Sequence, residues 1–272
     1  MNPIQIGNTR FDSRSRPLLI AGPCVIESRD DTLRLAEKIA LLPLTSRFSF
    51  VFKASYMKDN RSSGESYRGP GIDEGLRILE SVRETVGCPV ISDVHTIEEA
   101  AQASEVLDIV QIPAFLCRQT RILETAGKHA RAVNIKKGQF LSPDAMKLAA
   151  EKVRKAGGEN ILLTERGTTF GYNDLVVDFR GVATMKTFGW PVIFDVTHSL
   201  QKPGELGERS GGQPELASVM ARAAASVPCD GLFIETHPDP KNAKSDAASM
   251  LPLENFEDLL ESVLGVFAAT RD

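Results

Sequence analysis

Short, almost wholly apolar runs recur eight times along this chain, and most are separated by longer segments with helical spacing. The runs cover residues 18–21, 48–52, 89–92, 109–112, 132–135, 161–163, 192–194 and 232–234. The helical segments cover 31–42, 72–86, 97–107, 118–129, 143–156, 213–226 and 253–267, rich in alanine, leucine and charged residues. Strands this apolar are buried on both faces, and strand–helix alternation implies parallel pairing through right-handed crossovers. Eight units fit a closed (β/α)8 TIM barrel, and 272 residues suit a fold that typically needs about 250. A doubly wound open sheet is the competing α/β architecture, but the GxGxxG turn that would mark it is absent after the first run. The expectation is one barrel domain over residues 1–272, with 1–16 as an N-terminal extension. Within it, Ile4 to Asn8 and Thr9 to Phe11 read as a β-hairpin that plugs the N-terminal end.

Composition narrows the function. The net charge is -4 and no basic run stands out, so no nucleic-acid partner is expected. The apolar stretches 17–26 and 191–194 are far shorter than the roughly 18 residues that span a bilayer. The first residues lack the order of a secretory signal, so a cytoplasmic protein with no membrane partner is expected. Cys24, Cys88, Cys117 and Cys229 are scattered too widely for a disulfide framework.

In such a barrel, chemistry sits where the strands end. Lys53, Lys136 and Arg166 follow three different apolar runs and should converge on one mouth, with Lys58 and Arg61 close by. Five cations in an acidic protein point to a ligand with more than one anionic group. Cys24, His198 and Glu235 end the first, seventh and eighth runs, which are neighbours once the barrel closes. With Asp246 they form a plausible ligand set for zinc, iron, manganese or a similar divalent ion. Taken alone, a cysteine at a strand end is more often a small buried residue than a ligand, and His198 could be a core or acid–base histidine. The polar, glycine-rich loop 202–212 has the character of a lid. His129, Cys88, Cys117 and Cys229 lie away from the strand ends and read as structural.

Long motifs carry a family resemblance. AGPCVIES at 21–28, FKASYMKDNRSS at 52–63, SYRGPG at 66–71 and QIPAFLCRQT at 111–120 are followed by NIKKGQF at 134–140 and LTERGTTFGYNDLVVDFR at 163–180. FDVTHSLQKPG at 194–204 and IETHPDP at 234–240 complete the set. Together they resemble the 3-deoxy-D-manno-octulosonate 8-phosphate synthases, from about the first strand to the last helix. The resemblance implies a homotetrameric transferase of lipopolysaccharide biosynthesis that condenses phosphoenolpyruvate with D-arabinose 5-phosphate and water. It implies that Lys53, Lys58, Lys136 and Arg166 hold phosphoenolpyruvate, assisted by Gln111 and the Ala114 backbone. Asn60, Arg61 and Ser62 would bind arabinose 5-phosphate, Asp93 would face the sugar hydroxyls, and Arg118 would reach the sugar phosphate of a neighbouring subunit. Ser55 and Phe115 join the substrate-binding set, and Cys24, His198, Lys53 and Asn60 form the catalytic one. The family divides at the Cys24 position: members with asparagine work without metal, and members with cysteine use a divalent ion. The resemblance thus implies a metal held by Cys24, His198, Glu235 and Asp246. Many members read FDKANRSS where this chain has YMKDNRSS, so Tyr56, Met57 and Asp59 depart from the pattern.

Three rivals remain. The 3-deoxy-D-arabino-heptulosonate 7-phosphate synthases use erythrose 4-phosphate, but read KPRT where this chain has KDNRSS. A Schiff-base aldolase would use Lys136 or Lys53 as nucleophile. A non-catalytic phosphosugar-binding barrel would need no acid–base group.

Overall fold

The computed structural model of the protein describes residues 3–60, 66–172, 174–204 and 211–270. Eight parallel strands form the barrel: β1 (Leu18–Gly22), β2 (Ser49–Lys53), β3 (Val90–Asp93), β4 (Ile109–Ile112), β5 (Val133–Lys136), β6 (Ile161–Glu165), β7 (Val192–Asp195) and β8 (Gly231–His237). Each pairs with its neighbour in chain order, and β8 closes the ring on β1, with Gly231 opposite Leu18 and Glu235 opposite Gly22. Gly22 is required at this seam, because a β-carbon there would lie 2.1 Å from the Lys53 carbonyl oxygen.

The helices are α1 (Arg29–Leu41), α2 (Ile72–Val86), α3 (Ile97–Val106), α4 (Thr120–His129), α5 (Ala145–Lys155), α6 (Phe179–Lys186), α7 (Ala217–Ala225) and α8 (Phe256–Thr270). Local chemistry sets their starts. Ser28 caps α1 by accepting the Asp31 N–H at 3.1 Å, and Thr96 caps α3 by accepting the Glu99 N–H at 3.1 Å. Their apolar faces pack on the outward residues of the strands, such as Leu19, Phe52, Val110, Val133, Leu163 and Phe194. The sequence pattern had no helix between β6 and β7. The structure puts an antiparallel hairpin there, Thr168–Phe170 with Asp174–Val176, and then α6, which at eight residues is too short to carry a clear period. Among the described residues, no helix is long and apolar enough to cross a membrane.

The inward residues explain why the barrel has two ends of different character. Leu18, Ile20, Val51, Ile91, Ile109, Ala132, Leu162, Ile193 and Phe233 fill its lower interior. The expected hairpin, Ile4–Ile6 paired with Thr9–Phe11, closes that end by adding Ile4, Ile6 and Phe11 to the same cluster. Side chains alternate along a strand, so the next inward position lies two residues on. From Val51, Ile91, Ile109, Ile193 and Phe233 that step reaches Lys53, Asp93, Gln111, Asp195 and Glu235. The upper interior is therefore polar by construction.

Candidate active site

A cavity of about 940 Å³ opens above this polar layer, and among the described residues six lysines and arginines line it: Lys53, Lys58, Lys136, Arg166, Lys241 and Lys244. The expected convergence of Lys53, Lys136 and Arg166 is met. Lys241 and Lys244, on the loop after β8, were not singled out from the sequence. The supposed lid lies only partly within the described residues: Gln201–Lys202 pairs with Gly211–Gly212, Pro203 and Gly204 line the cavity, and 205–210 fall outside.

Beside the cations sits a cluster of metal-ligand type. One ligand atom each from Cys24, Glu235 and Asp246 lie within 4.8 Å of one another. The Cys24 Sγ is 3.0 Å from both Asp246 Oδ2 and Ser245 Oγ. His198 Nε2 stands 3.7 Å from Glu235 Oε2 and 4.0 Å from Asp246 Oδ2, so all four expected ligands are neighbours. The Glu235 Oε2 is buried and accepts no hydrogen bond. Asp246 is the one non-glycine residue with a left-handed backbone among those described, at φ 46°. Burial, reinforced by the charges of Asp246 and Glu235, pushes the Cys24 thiol well above its usual range. A thiol, an imidazole and two carboxylates that crowd one point, with an orphaned oxygen among them, match the donor set of a divalent transition metal.

Two buried ion pairs flank the cluster. Lys53 Nζ donates to Glu235 Oε1 at 2.6 Å and to the Cys24 carbonyl at 3.0 Å. Lys136 pairs with Asp195 and lies 3.8 Å from the centroid of the Phe233 ring. Burial disfavours the Lys136 ammonium, and its pKa falls despite that partner. Asp195 also holds His198, at 2.9 Å from Nδ1 and 2.9 Å from the backbone N–H, which aims Nε2 at Glu235 and Asp246. Asp195 was not counted among the site residues from the sequence, although its strand parity marks it as inward. Arg166 donates from Nη2 to Gln201 Oε1 at 2.8 Å, while its buried Nη1 lacks a partner.

On the other wall, Asp93 accepts from Ser55 Oγ and lies 3.3 Å from His95 Nε2. Burial works against its charge, but Lys58 and His95 hold it well below the usual carboxylate range. Gln111, Ala114, Phe115 and Asn60 line the cavity as expected. Gln111 is steadied by Asn134, which donates to its Oε1 at 3.0 Å. Ser55 and Arg118 do not line it: the Ser55 hydroxyl is taken by Asp93, and Arg118 is exposed. Arg61 and Ser62 lie outside the described residues. The departures in the second loop find partners: Tyr56 is fully buried, Met57 packs on the core, and Asp59 pairs with Arg68. Cys88, Cys117 and Cys229 are buried away from the mouth, and burial pushes the thiols of Cys88 and Cys229 up to about 12.

A closed barrel whose mouth gathers lysines and arginines beside a thiol–imidazole–carboxylate cluster is built as an enzyme, with a mouth that suits anionic groups. The chain belongs to the DAHP synthetase I family, whose model matches residues 3–270. It is 48% identical over 268 residues to the 2-dehydro-3-deoxyphosphooctonate aldolase of Trichlorobacter lovleyi, covering 98% of each chain. The protein of that name from Desulfatibacillum aliphaticivorans is 50% identical over 266 residues, 97% of each chain. That from Acidithiobacillus ferrooxidans is 52% identical over 242 residues, 89% of this chain and 86% of its own.

Proposed function

We propose that the protein condenses phosphoenolpyruvate with D-arabinose 5-phosphate and water, giving 3-deoxy-D-manno-octulosonate 8-phosphate and inorganic phosphate. The observation that carries this is the mouth itself: Lys53, Lys58, Lys136 and Arg166 crowd one cavity, and Arg166 keeps a buried N–H unpartnered. Full-length similarity to proteins named for the octulosonate phosphate supports the pentose over the tetrose reaction.

In this mechanism carbon 3 of the enol phosphate attacks the aldehyde carbon, whose oxygen takes a proton. Positive charge develops at carbon 2, water adds there with loss of a proton, and the hemiketal phosphate collapses by carbon–oxygen cleavage to the ketone and phosphate. Lys53, Lys58, Lys136 and Arg166 hold the carboxylate and phosphate of phosphoenolpyruvate, with Gln111 and the Ala114 backbone assisting and Phe115 at the wall. Fixed cations offset the repulsion between two anionic substrates and hold them at reacting distance. Asn60, Arg61 and Ser62 bind the aldose phosphate, and Asp93 accepts its hydroxyls. Ser55 acts through Asp93.

Cys24, His198, Glu235 and Asp246 would hold a divalent ion of the zinc, iron or manganese kind. When bound, that ion supplies Lewis-acid polarisation of the aldehyde or activation of water. Asp195 orients His198 for this role. The protein works as a cytoplasmic homotetramer in which Arg118 serves a neighbouring subunit's sugar phosphate; the exposed Phe115, Phe140 and Phe170 support association.

The deciding experiment is a phosphate-release assay with arabinose 5-phosphate and erythrose 4-phosphate, each with and without chelator. Turnover with the pentose, lost on chelation, is expected. Equal or better use of the tetrose overturns the substrate assignment, and a protein that carries no transition metal and ignores EDTA overturns the metal. Lys53 and Lys136 are both paired with buried carboxylates, and borohydride trapping of a substrate adduct on either would replace this mechanism with a Schiff-base one.

A further inference from the structure

The Asp93 wall is braced from outside the cavity. His95 lines the cavity and sits between two carboxylates: its Nε2 is 3.3 Å from Asp93 Oδ2, and its Nδ1 is 3.1 Å from Glu99 Oε2. The same Glu99 oxygen accepts the His95 backbone N–H at 2.8 Å and the Tyr56 hydroxyl at 2.7 Å. Ionised carboxylates only accept, so both ring nitrogens of His95 must donate. Neither Tyr56 nor Glu99 lines the cavity.

The brace is built into the helix start. Thr96 and Glu99 stand at the spacing of a capping box, with Thr96 accepting the Glu99 N–H and the Glu99 carboxylate reaching back past the cap to His95. Tyr56 comes from the loop after β2, is fully buried, and meets the His95 ring edge-on at 6.5 Å between centroids. Helix α2 admits it only because residue 75 is glycine: a β-carbon there would lie 2.2 Å from Tyr56 Cβ.

We propose that Tyr56 and Glu99 are positioning residues for the aldose phosphate: together they fix the His95 ring so that its Nε2–H faces Asp93 and holds that carboxylate where the sugar hydroxyls meet it. This rests on the proposed role of Asp93. The groups that face His95 are Asp93 from β3, Glu99 from α3 and Tyr56 from the loop after β2, with Lys58 across Asp93. Burial opposes a charge on His95, but Asp93 and Glu99 outweigh it and raise its pKa to about 9. Hence His95 is an imidazolium at neutral pH and loses its proton as pH rises through that value.

The test uses the full chain as purified, with Tyr56→Phe, Glu99→Gln and Asp93→Asn beside the parent. The His95 ring proton is followed by NMR against pH without substrate, and initial rates are measured with each substrate varied in turn. In Glu99→Gln the His95 midpoint should fall by about one unit or more, a tenfold or greater change in its proton affinity. KM for the aldose phosphate should rise roughly 5- to 10-fold, with kcat and the KM for phosphoenolpyruvate within about twofold. Tyr56→Phe takes a competing donor off the Glu99 carboxylate, so the His95 midpoint should rise slightly while the aldose KM rises by less, and this variant keeps the question answerable if Glu99→Gln does not fold. An unchanged His95 midpoint in both variants overturns the brace, as does an equal rise in both KM values. A shifted midpoint combined with an unaltered aldose KM in Asp93→Asn overturns the assignment of Asp93 instead, leaving the electrostatic brace standing.

Discussion

The lower and upper halves of the barrel interior are drawn from the same strands, two residues apart, yet they solve opposite problems. Below, Leu18, Ile20, Val51, Ile91, Ile109, Ile193 and Phe233 meet the hairpin's Ile4, Ile6 and Phe11 in a dry, close-packed plug. Above, Lys53, Lys136, Arg166, Asp195 and Glu235 are just as buried, but some of their polar atoms have no partner. Buried polar groups that are half satisfied cost stability, and a fold retains them where a ligand completes them. Stability is concentrated in one half, and the other is held in readiness for charge.

Substitutions that separate the halves test this contrast. The largest effect is expected at Arg166: Arg166→Ala should lower kcat/KM by on the order of 10²- to 10³-fold without lowering the melting temperature, since it removes a buried and incompletely paired charge. A parallel loss of stability would mean that the upper half also holds the fold together. Phe11→Ala is the mirror image, expected to cost roughly 3–5 kcal/mol in denaturant titrations while leaving the activity of the folded fraction intact. Cys24→Ala, in the upper half, should reduce bound metal in elemental analysis and lower activity at least about tenfold, with Cys24→Asn keeping some metal-free turnover. The smallest effect concerns pH. The folded-state pKa of His95 is raised from 6.5 to about 9, so its contribution is complete below 6.5 and is lost as pH rises through 9. Melting temperature should therefore fall by about 2–4 °C more across that window in the parent than in Glu99→Gln, the shift that ~1 kcal/mol gives in a large domain. Parallel curves would remove His95 from the stability balance.

The barrel is legible in the sequence because each strand is apolar on both faces and each polar strand end stands out against it. Lys53, Lys136, Arg166, His198 and Glu235 stand out on that ground, and Cys24 joins them because closure makes the first and last strands neighbours. Asp195 was within reach: counting by twos from Ile193 marks it as inward. Other features were not. Helix α6 is two turns long and follows an unexpected hairpin, so periodicity had too few residues to register. The Tyr56–Glu99–His95 brace joins a loop to a helix that meet only once the barrel is built, so the change from FDKANRSS to YMKDNRSS read as a loop difference and not a core contact. Lys241, Lys244 and Ser245 lie on the loop after β8, where no pattern distinguishes inward from outward.

The plug also sets an order of events. Ile4, Ile6 and Phe11 precede all eight barrel strands in the chain, and their neighbour Phe233 belongs to β8, the last of those strands. Ring closure joins Leu18 to Gly231, so the hairpin's apolar face is fully covered only once β8 has joined the ring. The element that precedes the barrel is thus the one completed last. A barrel that lacks β8 leaves part of that face uncovered, an apolar surface of the kind that promotes aggregation.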